Sequence, residues 1–347
     1  MRAVRYDAFG ARPYLVEDAE EPVCPPHGAI ITVHATGVCR SDWHAWQGHD
    51  DTVHLPHTPG HEFAGVVAEV GEQVEHVARG DRVTAPFILA CRECEQCRLG
   101  ATQVCPHQQQ PGFDLPGSWA EQVLVTGADH NLVPLPDELE MTTAAGLGCR
   151  IGTAYHAIHT QARVQDGETV AVYGCGGLGL ATVMVARAAG ADVIAVDVSD
   201  AALAAAAGLG AIPVRSERDT PRQVREMTAG GVHVSIDALG SRATAAAAID
   251  SLRPRGRHVQ VGLLLGEDAD PPLPMGRVIA EELQILGSHG IAVPEYADLL
   301  ADIAAGRLDV RRALGDVITM DDLPRALADL GGVPGSAGIT VARMPVP

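Results

Sequence analysis

The sequence predicts an α/β protein in two parts: a mainly β region of short strands, and a doubly wound parallel sheet with helices on both faces. Three observations carry this expectation. The chain's 347 residues exceed the roughly 250–300 at which one hydrophobic core stops growing. After Gly152 the texture changes from short β-type runs to a regular alternation of apolar strands and helices. A glycine-rich turn, Gly174-Cys175-Gly176-Gly177-Leu178-Gly179, falls directly between the first such strand and the first such helix.

In the first part, Ala29 to Ala35, Gly65 to Val70 and Glu121 to Val125 read as strands separated by Gly, Pro and Asp signals. Beyond Gly152, Val170 to Tyr173 reads as a strand, Leu178 to Ala189 as a helix stopped by Gly190, and Val193 to Val196 as a buried strand. An alanine-rich helix (Ala201 to Ala207) and a short strand (Ile212 to Val214) follow, and Asp219-Thr220-Pro221 marks the next helix start. Val232 to Ala238, His258 to Val261 and Leu283 to Leu286 supply later strands. From Pro294 one helix runs to Gly306, and another begins near Asp322. The uncharged stretch Thr169 to Ala186 approaches membrane-span length, but its glycines make it a strand, a turn and a helix.

Composition excludes several function classes. Lys plus Arg total 25 against 44 Asp plus Glu, a net charge of −19 that repels nucleic-acid phosphates and anionic lipid surfaces. No nucleic-acid or membrane partner is expected. The segment from Met1 to Gly10 carries Arg2, Arg5 and Asp7 and has no apolar core of signal-peptide length, so the cytoplasm is the expected location. There, clustered cysteines read as metal ligands before disulfides.

Four cysteines share one loop as Cys91-x2-Cys94-x2-Cys97-x7-Cys105, a spacing that closes a thiolate tetrahedron around one zinc. Four protein ligands leave no position for substrate, so this is expected to be a structural clip. In the glycine turn, missing Cβ atoms let a pyrophosphate approach a helix N-terminus. Asp197 ends the next strand, where a carboxylate accepts bonds from an adenosine ribose and repels a 2′-phosphate. Val198, Ser199 and Asp200 follow without a cation, which favours NAD over NADP. Cys39, His61 and Cys149 are dispersed. Two thiolates and one imidazole hold a catalytic zinc with an open position, but spacing alone does not bring these three together, and a lone Cys or His is more often core packing.

The Cys39-Arg40-Ser41-Asp42-Trp43-His44 segment, Gly60-His61-Glu62, the four-cysteine loop, Cys149 and the glycine turn occur in an order that resembles the zinc-dependent alcohol dehydrogenases of the medium-chain dehydrogenase/reductase superfamily. The resemblance covers nearly the whole chain. It implies a GroES-like, mainly β catalytic domain from residues 1–150 and 288–347, interrupted by a Rossmann NAD-binding domain at 151–287. It implies two zinc ions, a catalytic one on Cys39, His61 and Cys149 and a structural one on Cys91, Cys94, Cys97 and Cys105. Glu62 would lie behind the metal, and Asp42 would bond the far nitrogen of His61. Ser41 and a near-neutral His44 would carry away the alcohol proton.

Gly174, Gly176, Gly177, Leu178, Gly179 and Asp197 would seat the dinucleotide, with Arg40 on its pyrophosphate and Thr153 facing it. Phe87, Trp119, Trp43 and Trp46 would line an apolar alcohol pocket. The implied reaction is reversible hydride transfer between an alcohol and NAD by a homodimer or homotetramer. The alternatives are an NADPH-dependent reductase of a carbonyl or activated double bond, and a non-catalytic NAD- and zinc-binding protein. Two departures stand out: no basic residue occurs in Gly335-Ser336-Ala337-Gly338-Ile339, where many relatives carry one, and Ser288-His289-Gly290 has no assigned role.

Overall fold

The computed structural model describes residues 1–332 and 337–345. Its first sheet is built on β1 (Ala29–Gly37) and β2 (Phe63–Val70), which pair antiparallel. Their runs of Ile, Val and Ala put one face into a core with Trp119, Val123 and Leu132. Arg82–Thr84 extends the sheet beyond β2, Gln122–Val125 pairs with β1, and the late strand Ile339–Arg343 returns to pair antiparallel with β1. Immediately after β1 the chain turns into α1 (Arg40–Trp46). This helix was not expected from the sequence, because Arg-Ser-Asp-Trp-His-Ala-Trp shows no clear apolar stripe.

The second sheet has six parallel strands: β3 (Thr169–Tyr173), β4 (Asp192–Asp197), β5 (Ile212–Arg215), β6 (Val232–Asp237), β7 (Leu252–Gln260) and β8 (Gln284–Gly287). Their order is β5-β4-β3-β6-β7-β8, so the winding reverses between β3 and β6. The carboxyl ends of the strands at such a reversal are the usual ligand seat of a doubly wound sheet. From β3 the glycine turn feeds α2 (Gly177–Ala188), which ends at Ala189 before Gly190 at φ 84°.

Strand β7 begins at Leu252 rather than His258. Its first half, Arg253-Pro254-Arg255-Gly256, is polar and irregular, with Arg255 at φ 63°, so no apolar period marks it. Between the sheets, residues 141–161 form a near-continuous helical segment with two wide π turns. Gly146, Gly148 and Gly152 obscure it in the sequence, yet it carries Cys149. The expected helix from Pro294 is a 3₁₀ turn followed by Tyr296–Ala304, and Asp322 precedes the helix Leu323–Asp329. Among the described residues no helix is long and apolar enough to cross a membrane.

Candidate active site

Cys39 sits at the N-cap of α1, and Asp42, three residues on, accepts a hydrogen bond from the Cys39 N–H at 2.9 Å. The same carboxylate accepts from Gly60 N–H at 3.2 Å and lies 2.9 Å from Nδ1 of His61. Asp42 is fully enclosed, so these bonds hold both the helix start and the imidazole. Gly60 has φ 105°, and a Cβ there would lie 2.4 Å from the Trp119 ring, so only glycine turns the chain here.

Cys149 arrives on the π turn Leu147–Ile151. One ligand atom each from Cys39, His61, Glu62 and Cys149 lies within 4.8 Å of the others. Nε2 of His61 is buried without a hydrogen-bond partner among the described residues. An imidazole held at Nδ1 by a carboxylate, with Nε2 3.9 Å from Oε1 of Glu62 and gathered with two sulfurs, fits a zinc ligand set. A hydrogen bond with Cys149 is the largest influence holding the Cys39 thiol well below its ordinary range, and the same bond pushes Cys149 up. Burial alone would lower the pKa of His61, but Asp42 and Cys39 outweigh it and raise the value.

Glu62 is also wholly buried, and burial pushes its carboxyl up to about 7 against the pull of Arg150. Nε of Arg150 lies 2.8 and 3.2 Å from its two oxygens. A lone Arg after Cys149 carries no signal of this role in the sequence.

In the four-cysteine loop the sulfurs of Cys91, Cys94, Cys97 and Cys105 lie within 4.8 Å of one another. Sulfurs about 2.3 Å from a central zinc form a tetrahedron with edges of about 3.8 Å. The observed Cys91–Cys105 and Cys94–Cys105 separations are 3.5 and 3.8 Å. Backbone N–H groups of Glu93 and Cys94 lower the Cys91 thiol to about 6, while burial is the largest influence pushing Cys97 up to about 12 and Cys105 up as well.

At the glycine turn, Gly174 adopts φ 89°, and a Cβ on Gly179 would lie 1.8 Å from the Gly174 carbonyl oxygen. Gly176 faces open space, Gly177 begins α2, and Leu178 follows it in the first turn. Asp197 accepts from Cys175 N–H at 2.6 Å and from Ser199 N–H at 2.8 Å, so its carboxylate is fixed beside the turn. Arg215 lies in register beside Asp197 on β5, a cation that sequence distance hid, but it pairs with Asp200. Arg40 stacks on Trp43 at 4.4 Å and donates to the Leu330 carbonyl. Thr153 is buried one turn beyond Cys149. Gly335 and Ser336 lie outside the described residues; Arg343 is exposed at the end of the late strand.

Ser41 Oγ is 3.8 Å from the Cys39 sulfur. His44 lies beyond, its Nδ1 3.0 Å from Nδ1 of His49. The expectation of a near-neutral His44 is corrected: burial first, then Arg40 and His49, lower it to about 4. Phe87 packs edge-on against His61 at 6.0 Å. Trp119 is corrected from pocket wall to core, since it is 0% exposed and donates its indole N–H to the Gly37 carbonyl. Trp46 likewise packs in the core and donates to the Ala11 carbonyl, while Trp43 is the platform under Arg40. Phe113, unmarked in the sequence, lies 5.4 Å from His61.

The unassigned His289 packs on Phe87 at 5.3 Å. It lines a cavity of about 490 Å³ with Gln103, His156, Gln260, Leu263 and Ser288, at the carboxyl ends of β7 and β8. None of the metal-cluster residues lines that cavity; the His289–Phe87–His61 contacts link the two.

Residues 25–137 match the family model for the alcohol dehydrogenase GroES-like domain, and residues 177–305 match that for zinc-binding dehydrogenases. An alcohol dehydrogenase of Geobacillus stearothermophilus is 36% identical over 83% of this chain and 84% of its own length. An NAD-dependent alcohol dehydrogenase of Sulfurisphaera tokodaii is 34% identical, covering 89% of this chain and 90% of that protein. The solved structure of an alcohol dehydrogenase from Thermus sp. ATN1 superposes with a TM-score of 0.91 at 30% identity, over 99% of this chain and 100% of that one. The Cys91–Cys105 cluster fits the structural zinc of such enzymes, and the Cys39, His61 and Glu62 group fits the catalytic one. Fold, cysteine clusters and relatives converge: the chain belongs to the zinc-dependent alcohol dehydrogenases of the medium-chain dehydrogenase/reductase superfamily.

Proposed function

We propose that this alcohol dehydrogenase oxidises small apolar primary or secondary alcohols with NAD, reversibly, between a catalytic domain of residues 1–150 and 288–347 and a dinucleotide domain of residues 151–287. The carrying observation is the unpartnered, buried Nε2 of His61, gathered with the Cys39 and Cys149 sulfurs. The pairing of Ile339–Arg343 with β1 supports the discontinuous division.

Cys39, His61 and Cys149 would hold the catalytic zinc, which when bound supplies a Lewis acid for the alcohol oxygen, while the dinucleotide supplies a hydride acceptor. Asp42 keeps the proton of His61 on Nδ1 and so leaves Nε2 free to bind metal. Ser41, whose Oγ lies 3.8 Å from the Cys39 sulfur, would accept the hydroxyl proton as it passes its own on, and His44, a weak base lowered to about 4, would carry that proton transiently and give it up to solvent. Phe87 and Phe113 flank the imidazole and exclude water from it. Gly174, Gly176 and Gly179 open the backbone at the start of α2 to a pyrophosphate.

NAD is favoured because Asp197 stands at the end of β4 while Arg215, in register beside it on β5, is paired with Asp200. A homodimer or homotetramer is supported by the outer edge of β8, the last strand of its sheet, and by exposed Leu263 and Ile279 nearby. Reduced-cofactor formation from NAD and NADP across primary, secondary, cyclic and aromatic alcohols tests this reading. NADH formed from an apolar alcohol, faster than NADPH, is expected; no turnover with any alcohol overturns it.

A further inference from the structure

Arg150 is a buried guanidinium placed between the metal cluster and the dinucleotide turn. Its Nε is held by Glu62 at 2.8 and 3.2 Å, and its Nη2 lies 3.5 Å from the Thr340 carbonyl. Among the described residues Nη1 makes no hydrogen bond, although the side chain is only 8% exposed. That Nη1 lies 3.1 Å from where a Cβ on Gly177 would be, and Nη2 lies 2.9 Å from where one on Gly37 would be. The guanidinium therefore fills the space left by two missing side chains, one at the end of β1 and one at the first residue of α2.

Glu62, Cys39 and Cys149 favour the charge from the side of the metal cluster, while Nη1, without a hydrogen bond among the described residues, is left to meet an anion from the side of the turn. The N-terminus of a 12-residue helix is its positive pole, where a buried cation is disfavoured. Glu62 meets only one edge of the fork, and an arginine fork is built to serve two oxygen partners at once. Arg40, the other cation expected near the phosphates, stacks on Trp43 and donates to the Leu330 carbonyl.

We propose that Arg150 is a dinucleotide-binding residue: it presents Nη1 to the pyrophosphate seated at Gly176 and Gly177 while Nε stays on Glu62, tying cofactor occupancy to the carboxylate beside the metal. This rests on the dinucleotide reading above. Because Arg150 touches both partners, phosphate binding redistributes its charge away from Glu62, and the two sites become thermodynamically linked.

The test is calorimetric titration of the zinc-loaded protein with ADP-ribose and, separately, adenosine. Removing Arg150 alone strands a buried carboxylate, so the variant is the double Glu62→Gln/Arg150→Met, which removes both charges. It is expected to bind ADP-ribose about tenfold or more weakly, the loss of a charge-assisted bond, and adenosine unchanged. Arg150→Lys keeps a buried cation beside Glu62, and with it the fold, but one ammonium cannot reach both partners; it is expected to weaken ADP-ribose at least about fivefold. ADP-ribose affinity within about twofold of wild type in either variant overturns the assignment of Arg150. Wild-type protein that binds neither probe overturns the dinucleotide reading itself.

Discussion

Replacing Asp42 with Asn probes the support of the metal cluster with almost no change of shape. The carboxylate receives three donors: His61 Nδ1–H at 2.9 Å, Cys39 N–H at 2.9 Å and Gly60 N–H at 3.2 Å. An amide offers one acceptor oxygen and one donor nitrogen. With its oxygen toward His61 and Gly60, the new NH2 opposes the Cys39 N–H, leaving a buried donor unmet at a cost of about 1–3 kcal/mol. With the amide flipped, Nδ1 of His61 must accept, the proton moves to Nε2, and that nitrogen can no longer bind metal. Either way zinc affinity at this cluster should fall by about 10–100-fold, the usual effect of losing such a partner. Equilibration of zinc-loaded protein with a graded chelator, followed by elemental analysis, reads this directly. One zinc per chain should leave at lower chelator than in wild type, while the second, on Cys91, Cys94, Cys97 and Cys105, stays. Two zincs lost together, at the wild-type chelator concentration, would refute the reasoning.

Other perturbations separate the remaining parts. Cys97→Ser should lower the melting temperature and reduce zinc by one per chain, since apparent structural-zinc binding in finger peptides is worth about 10–16 kcal/mol at pH 7; an unchanged scan contradicts a structural role. His44 falls from an ordinary 6.5 to about 4 in the folded protein, so the unfolded chain binds more protons between those values. Its contribution to stability is therefore present above pH 6.5 and lost as the pH falls toward 4. His44→Gln should flatten the fall in melting temperature across that window, and identical pH profiles would count against the depressed value. Trp119→Phe strands the buried Gly37 carbonyl and should cost about 1–3 kcal/mol of stability, with KM for alcohols unchanged. A selective change in KM would return Trp119 to the pocket.

What could be read from the sequence divides along a physical line. The four-cysteine loop is local, so its ligands announce themselves by spacing, and the glycine turn is legible because a strand and a helix flank it within a few residues. Cys39, His61 and Cys149 are gathered only by the return of β1, the loop before β2 and the π turn at Leu147–Ile151, so family order and not spacing brought them together. Arg150 was invisible because its meaning lies 88 positions away at Glu62. Trp119 differs for the opposite reason: family order implies a pocket position, while its enclosure between Gly60 and Gly37 decides that it is core. The first half of β7 escaped because Arg253-Pro254-Arg255-Gly256 has no period that would distinguish a strand from a loop.

The most direct measurement is zinc content followed in parallel with NADH formation from an alcohol as metal is withdrawn and restored. Two zincs per chain are predicted, with activity disappearing as the first leaves and returning when it is replaced, and with Cys39→Ser retaining one zinc, the fold and no turnover. Full activity in protein stripped of the zinc at Cys39, His61 and Cys149 would contradict the account.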